Sequence, residues 1–277
     1  MIISVINRTQ DIADEKIHAA LRAINRQIEF DFKPYWSLGA TLRLEGKSGK
    51  RPMEDKSGKT PMKDKSGKTP GRETLSDMRG DAILYLWDGE DVDDALGYHE
   101  RNHRGIPFSF VFSKLAEELG ESWTVTLSHE AIELIGDPQV NLLVQGPHPE
   151  TGRSVFHWYE LCDAVQAESY KIDDIEVSNF VLPLYFTSTE ERAGRNDFLG
   201  RKGKDSEPLE SFKVKKGGYI GFFNPHTGKD ETFAMKNDVV AAEREQIKEK
   251  FHKARRAGRH MGRYSLDVSP VASDRRM

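Results

Sequence analysis

Cysteine is nearly absent from this chain of 277 residues, in which Cys162 is the single representative. One cysteine cannot form an intrachain disulfide, so nothing in the sequence indicates an oxidising compartment. Long apolar runs are also missing, because no stretch approaches the roughly 20 apolar residues that span a membrane. The apolar run at residues 1–7 is short and lacks the basic start of a signal peptide. We therefore expect a cytoplasmic protein with no membrane partner.

A large excess of one charge is lacking as well. The chain carries 41 Lys and Arg against 45 Asp and Glu, and its net charge of −4 does not by itself indicate a nucleic-acid or membrane partner. With 37% hydrophobic and 31% charged residues, the composition is polar but not that of a disordered chain. This length suffices for one large domain or two modest ones.

A short basic repeat occupies the stretch between positions 46 and 73. Three copies of Lys-Ser-Gly-Lys begin at Lys47, Lys56 and Lys65, and they contain almost nothing that a core could bury. We expect residues 46–73 to be a flexible loop inserted between two strands. The alternative is an electrostatic arm that contacts phosphates or an acidic partner.

Hydropathy patterns predict a succession of strands and helices. The predicted extended segments are residues 2–6, 30–36, 39–44, 82–87, 108–112, 141–145, 154–159, 175–186 and 219–223, and the predicted helices are 11–27, 123–136 and 239–257. Because proline within a sheet favours edge strands, Pro107 predicts an edge position for residues 108–112. We divide the chain into an N-terminal subdomain (1–145), a C-terminal subdomain (146–235), and a charged helix with a disordered basic tail (236–277).

The helix predicted at residues 123–136 carries the strongest functional pattern. On it, His129 and Glu133 lie one turn apart, roughly 40° from each other around the axis. Two such side chains can bind one divalent metal ion from a single helix, and Glu130 is placed to take a proton from a water molecule beside that ion. The alternative is a surface helix whose histidine and glutamates are simply solvated.

Two linked segments resemble a known group of proteins. The helix reads Ser128-His129-Glu130-Ala131-Ile132-Glu133 and continues to Asp137-Pro138, and a Glu-x-Cys-Asp segment follows at residues 160–163. This combination resembles a poorly characterised group of bacterial and phage zincin-like proteins of the metzincin metalloprotease type. The likeness covers residues 1–45 and 75–223 and leaves out the basic repeat and the C-terminal region.

This sequence departs from the metzincin pattern at two ligand positions. Metzincins have a second histidine where Glu133 stands, and a third histidine or an aspartate where Gln139 stands. A third ligand must therefore come from elsewhere, and the candidates are Asp137, Glu160 and Asp163. The alternative for the last two is an acidic turn that is solvated at the surface.

The resemblance implies a mixed α/β fold, with a zincin-like mixed sheet, an active-site helix and an irregular C-terminal subdomain. Our first hypothesis is a metal-dependent hydrolase that acts on peptides or proteins, with zinc as the expected divalent metal and with residues 108–112 pairing with the substrate. The second is a non-catalytic zincin-like protein, structural or phage-associated, and the third is a nucleic-acid-associated protein that uses the basic insert and tail. We expect Cys162 to be a small buried side chain and not a nucleophile.

Overall fold

The computed structural model describes residues 1–45, 80–88, 97–101, 106–118, 120–187, 195–200 and 208–235. The predicted basic loop at 46–73 and the predicted helix and tail at 236–277 lie outside these ranges, so both remain predictions. Within the described part of the chain, no helix is long and apolar enough to cross a membrane.

Five strands form the main sheet, in the spatial order β2-β1-β3-β5-β4. Strand β1 (Ile2–Arg8) pairs in parallel with β2 (Thr41–Leu44) and β3 (Ala82–Trp87), and β5 (Pro107–Phe112) continues the parallel set beside β3. Strand β4 (Gly97–Arg101) closes the far edge and runs antiparallel to β5. The expected mixed α/β architecture is confirmed.

Strand β5 is not the edge strand that Pro107 suggested. Both of its backbone edges are taken, one by β3 and the other by β4. Proline is tolerated here because it is the first residue of the strand, and the pairing with β3 begins only at Phe108. The expectation that residues 108–112 pair with a substrate is therefore wrong.

Helix α1 (Asp14–Arg26) does not give way to the extended segment expected at residues 30–36. It continues as a π-helical stretch (Gln27–Phe32) and a short helix α2 (Lys33–Trp36). Ile28 and Phe32 are four residues apart and both fully buried, whereas Phe30 is 69% exposed. The buried side chains at these positions thus recur with the period of a helix, although apolar and polar residues alternate in the sequence as they do in a strand.

Helix α4 (Trp123–Gly136), preceded by the short helix α3 (Ser113–Glu118), has the predicted bounds. Ser122 caps its start by accepting a hydrogen bond from the Thr124 backbone N–H, and the Asp137-Pro138 pair follows its last turn. Helix α4 contacts β5 and β4 of the main sheet as well as β9 (Ile175–Ser178). It is therefore a central helix and not a surface one.

The later part of the chain contains a second sheet and a separate hairpin. Strands β6 (Leu143–Pro147), β7 (Ser154–Trp158), β10 (Tyr219–Asn224) and β11 (Lys229–Ala234) form a four-stranded antiparallel sheet, and β8 (Ser169–Ile172) pairs with β9. The extended run expected at 175–186 is only half correct, because Pro183–Phe186 is a 3₁₀ turn. One hydrophobic core includes residues from both predicted subdomains, from Ile3 to Ile220, and the division at residue 145 remains a prediction.

The two faces of the main sheet are both buried. Along β3, Leu84 and Leu86 join the main core with α1 and α4, whereas Tyr85 and Trp87 belong to a second, aromatic cluster with Phe110. This alternation is the period of two that a strand imposes on its side chains. Buried faces on both sides are typical of parallel sheets, and they fix the position of the strands beneath α4.

A candidate metal centre on helix α4

His129 lies between two carboxylates. Its Nε2 atom is 3.2 Å from Oε1 of Glu133 and 3.3 Å from Oδ1 of Asp163. The first pair is the predicted one-turn spacing on α4, and the second is a long-range contact with the 3₁₀ turn Asp163–Val165. Of the three candidates for a third ligand, the structure therefore brings Asp163 against the imidazole.

Glu130 lies beside this pair on the same helix. Ligand atoms of His129, Glu130 and Glu133 all lie within 4.8 Å of one another. Oε2 of Glu130 accepts a hydrogen bond from Oγ of Ser109 at 3.1 Å. Ser109 lies in β5 and is fully buried, so the sheet orients this carboxylate from below the helix.

Asp137 and Glu160 occupy different positions relative to the imidazole. Oδ2 of Asp137 accepts a hydrogen bond from the Leu142 backbone N–H at 2.9 Å, which stabilises the turn that follows α4. Glu160 is half-buried and close enough for its negative charge to act on Glu133. The structure thus places Asp137 in a turn-forming role and Glu160 at the margin of the cluster.

The segment that carries Asp163 is tied directly to α4. The Cys162 backbone N–H donates to Oε1 of Glu133 at 3.2 Å, and the Cys162 thiol points at the backbone carbonyl of His129, with Sγ 3.8 Å from its oxygen. Burial raises the pKa of this thiol well above its ordinary value, and the charges of Glu133 and Asp163 raise it further. The thiol is thus kept protonated, in agreement with the expected role of a small buried side chain.

The hydrogen bonds of Ser128 explain why a serine occupies the first position of the Ser-His-Glu motif. Its Oγ accepts a hydrogen bond from the Ser178 backbone N–H at 2.6 Å and donates to the carbonyl of Val125 at 2.9 Å. The residue therefore joins α4 to β9 and holds the helix in place. Its contribution to the site is positional.

The cluster is buried, which contradicts the alternative of a solvated surface helix. The side chains of His129, Glu133 and Asp163 are 10%, 4% and 7% exposed. Every residue of α4 from Thr126 to Gly136 is buried, so this part of the helix has no solvated face. A buried group of one histidine and several carboxylates needs positive charge at its centre.

Electrostatics within the cluster agree with that requirement. Burial lowers the pKa of His129, but the charges of Glu133 and Asp163 and their hydrogen bonds outweigh it and raise this pKa to about 10. Burial raises the pKa of Glu133; the His129 charge opposes this change, and Asp163 and Glu160 add to it. In the absence of a metal, the imidazolium supplies the positive charge that the carboxylates require.

A small cavity adjoins the cluster on the side of the four-stranded sheet. Glu160 and Asp163 line it together with Trp158, Tyr185 and Phe186. The aromatic members were missed from the sequence, because they come from β7 and from the 3₁₀ turn at 183–186. Ser109 was also missed, although its signal was present as a lone hydroxyl in the apolar strand Pro107–Phe112.

Comparison with known proteins identifies no relative. No protein-family model, no curated protein and no solved structure matches this chain.

Proposed function

We propose that this chain is a metal-dependent hydrolase of peptides, with a divalent metal held by His129, Glu133 and Asp163. The observation that carries the proposal is the position of His129 Nε2, at 3.2 Å and 3.3 Å from two carboxylate oxygens. The His-Glu-x-x-Glu motif on α4 and its zincin-like setting support it further. A cytoplasmic location belongs to the same proposal and rests on the single cysteine of the chain.

The two separations around His129 Nε2 support a metal ion at this position. Tetrahedral zinc bound to nitrogen and oxygen at about 2.0–2.2 Å separates its ligands by about 3.4 Å. The separations of His129 Nε2 from the oxygens of Glu133 and Asp163 are close to that value, which supports an ion bound between the imidazole and these carboxylates. One nitrogen and two oxygens form a harder donor set than three histidines, and zinc is our first choice among the divalent metals.

The residues around the ligands could each contribute to the hydrolysis of a peptide bond. A bound metal would lower the pKa of a water molecule and polarise the scissile carbonyl. Glu130 would serve as the proton acceptor beside such a site, and Ser109 holds its carboxylate by the hydrogen bond to Oε2. Cys162 fixes Oε1 of Glu133 through its backbone N–H, as an outer partner that orients a ligand. An extended peptide would pair with β4, which lies at the edge of the sheet and contacts α4.

A second candidate function is a metal site that serves stability alone. The burial of His129, Glu130 and Glu133 favours it, since a substrate must reach the ligands before any bond is broken. Structural metal sites are closed, whereas catalytic sites keep one coordination position open to solvent. The same three ligands hold the ion in both cases, so only an activity measurement separates the two functions. The nucleic-acid hypothesis depends on residues outside the described ranges and remains a prediction.

Elemental analysis of the purified protein tests the metal site. We expect about one divalent ion per chain in the wild type and none in the His129→Ala/Glu133→Ala double variant, because both helix ligands are then lost. His18→Ala is a matched control, because this exposed histidine on α1 lies outside the cluster. Unchanged metal content in the double variant would show that the ion is bound elsewhere.

Replacement of Glu130 by glutamine tests the hydrolase. Glu130→Gln keeps the size of the side chain but removes the base, and we expect a loss of at least about a hundredfold in peptide cleavage with the metal retained. Loss of the metal would make Glu130 a ligand instead. If a metal-loaded wild type cleaves no member of a broad peptide library, the structural function is correct.

A further inference from the structure

A second buried polar cluster contains none of the proposed metal ligands and joins residues that are distant in sequence. It contains Lys215, Asn179, Asp197 and Glu168. Asn179 is fully buried, and Lys215 and Asp197 are 6% and 2% exposed. A primary amine so deeply buried beside an amide and two carboxylates is uncommon, because lysine is almost never buried without a partner.

The amine and the carboxamide share the same two carboxylates. Nζ of Lys215 is 3.2 Å and 3.3 Å from the two oxygens of Glu168 and 3.6 Å from Oδ2 of Asp197. Nδ2 of Asn179 donates to Oε2 of Glu168 at 2.7 Å and to the same Oδ2 of Asp197 at 2.8 Å. Glu168 lies within hydrogen-bond distance of both nitrogen atoms and can therefore move a proton between them.

The carbonyl oxygen of the same amide is held by backbone donors. Oδ1 of Asn179 accepts hydrogen bonds from the backbone N–H groups of Phe180 at 2.9 Å and Leu199 at 3.2 Å. Two fixed N–H groups on a carbonyl oxygen form the arrangement that stabilises a tetrahedral intermediate of acyl transfer. The amide is thus polarised toward attack at its carbon atom.

Apolar rings and the surrounding backbone hold the cluster in place. The rings of Phe180 and Phe198 are stacked with their centres 5.0 Å apart, next in sequence to Asn179 and Asp197. The Lys215 backbone N–H donates to the carbonyl of Ala164 at 2.9 Å, which fixes the lysine beside its partners. Groups that the fold already holds in place lose little further freedom when they react with each other.

We propose that Lys215 and Asn179 react to form an intramolecular isopeptide bond. Glu168 takes a proton from the Lys215 ammonium, and the free amine attacks Cγ of Asn179. The oxyanion forms at Oδ1, against the two backbone N–H groups, and a carboxylate passes the second proton from Nζ to Nδ2. The C–Nδ2 bond then breaks, ammonia leaves, and the new amide joins Nζ to Cγ. No oxidant, reductant or other reactant is needed.

The bond would pin the segment that carries Asp163. The segment 163–168 begins with the proposed ligand Asp163 and ends with Glu168. The Lys215 backbone N–H donates a hydrogen bond to this segment at the carbonyl of Ala164. A covalent link from Lys215 to Asn179, which directly follows β9, would hold this segment as a disulfide does by restricting the unfolded chain. The chain has one cysteine, so it cannot use a disulfide for this purpose.

The mass of the intact protein tests the proposal directly. We expect the purified full chain to be lighter than its sequence by the mass of one ammonia molecule. Trypsin should fail to cleave after Lys215, and its digest should contain a branched peptide that joins this lysine to Asn179. A mass equal to that of the sequence overturns the proposal. A deficit of one water molecule overturns the choice of Asn179, because water is lost only when a carboxylate is the acceptor.

Two variants and a matched control complete the test. Lys215→Arg keeps the positive charge but lacks the amine nucleophile, and Glu168→Gln removes the proton acceptor. We expect both to show the full mass of their sequences. Lys213→Arg should retain the deficit, since Lys213 Nζ donates to the carbonyl of Pro149 and lies outside the cluster. A deficit that persists in Lys215→Arg would place the bond at another residue. The wild-type measurement decides the question even if a variant fails to fold.

Discussion

Gly136 at the end of α4 packs directly against Leu161. A Cβ atom at position 136 would lie 2.4 Å from Cδ1 of Leu161, which is closer than non-bonded carbon atoms approach each other in proteins. Leu161 is fully buried and immediately precedes Cys162 and Asp163, which reach Glu133 and His129. The missing side chain of this glycine therefore allows the segment 161–163 to approach the helix.

We expect Gly136→Ala to destabilise the protein and to disturb the candidate metal centre. The new methyl group forces Leu161 away, and overpacking of this kind costs about 1–3 kcal/mol. Chemical denaturation measures the loss of unfolding free energy, and a metal titration should show weaker binding than in the wild type. Gly39→Ala is the matched control, because the nearest atom to its Cβ would belong to the flexible Lys33 side chain, at an ordinary contact distance of 3.4 Å. Equal stability of the two variants would show that Leu161 moves without cost.

Much of the fold followed from local patterns. Helix α4 was predicted with its observed bounds from its apolar pattern and from the Asp-Pro pair after Gly136, and the structure adds a serine cap at Ser122. Strands β1, β3 and β10 were predicted from their apolar runs. The helical segment at Phe30 was missed because the apolar residues there fit both a period of two and a period of four, and only packing against the core decides between them.

The candidate site could be predicted only in part, for a physical reason. The pair His129 and Glu133 lies on one helix, so its spacing is fixed by helical geometry. The approach of Asp163 depends on how the chain returns to α4 through Leu161, and local sequence does not encode that path. For the same reason, the sequence left Asp137, Glu160 and Asp163 as equal alternatives, and it did not predict that β4 would cover the edge of β5.

Asp163 should be the third ligand, and Asp137 should not. Asp163→Asn removes the charged oxygen next to His129, and we expect metal affinity to fall by at least about tenfold, since a ligand contributes more than an outer partner does. Asp137→Asn is the matched control, because this residue accepts a hydrogen bond from the Leu142 backbone and an asparagine oxygen can do the same. Titration of the metal-free proteins with zinc compares the two affinities. The reverse order of affinities would assign the metal to Asp137.

The hairpin between β8 and β9 can be stabilised by one substitution. Its two turn residues, Asp173 and Asp174, have positive φ angles of 48° and 65°. Two-residue turns of this kind favour glycine at the second position, because glycine has no Cβ to strain. We expect Asp174→Gly to raise the unfolding free energy by about 0.5–1 kcal/mol. Asp230→Gly, which lies in a paired strand, should lower it, and thermal unfolding measures both. A destabilised Asp174→Gly would mean that the aspartate side chain matters more than the backbone strain.

His157 should make the protein less stable in mild acid. Burial lowers the pKa of this residue to about 4, against a partial opposing effect of its hydrogen bond to the Pro147 carbonyl. Its ring packs between Phe212 and Phe222, at centroid distances of 4.7 Å and 5.5 Å, so a charged imidazole is poorly solvated there. In the unfolded chain the pKa is about 6.5, so the unfolded state binds a proton first as the pH falls.

Stability should therefore decrease as the pH falls from about 6.5 to about 4, by about 3 kcal/mol for this residue. His157→Gln keeps an N–H donor for the Pro147 carbonyl but does not titrate, and we expect its unfolding free energy to depend less on pH across that range. His18→Gln, at an exposed position on α1, should follow the wild type. Urea unfolding at several pH values between 4 and 7 measures the three slopes. If His157→Gln and the wild type lose stability in parallel, the acid sensitivity arises from other groups and the buried imidazole is not its source.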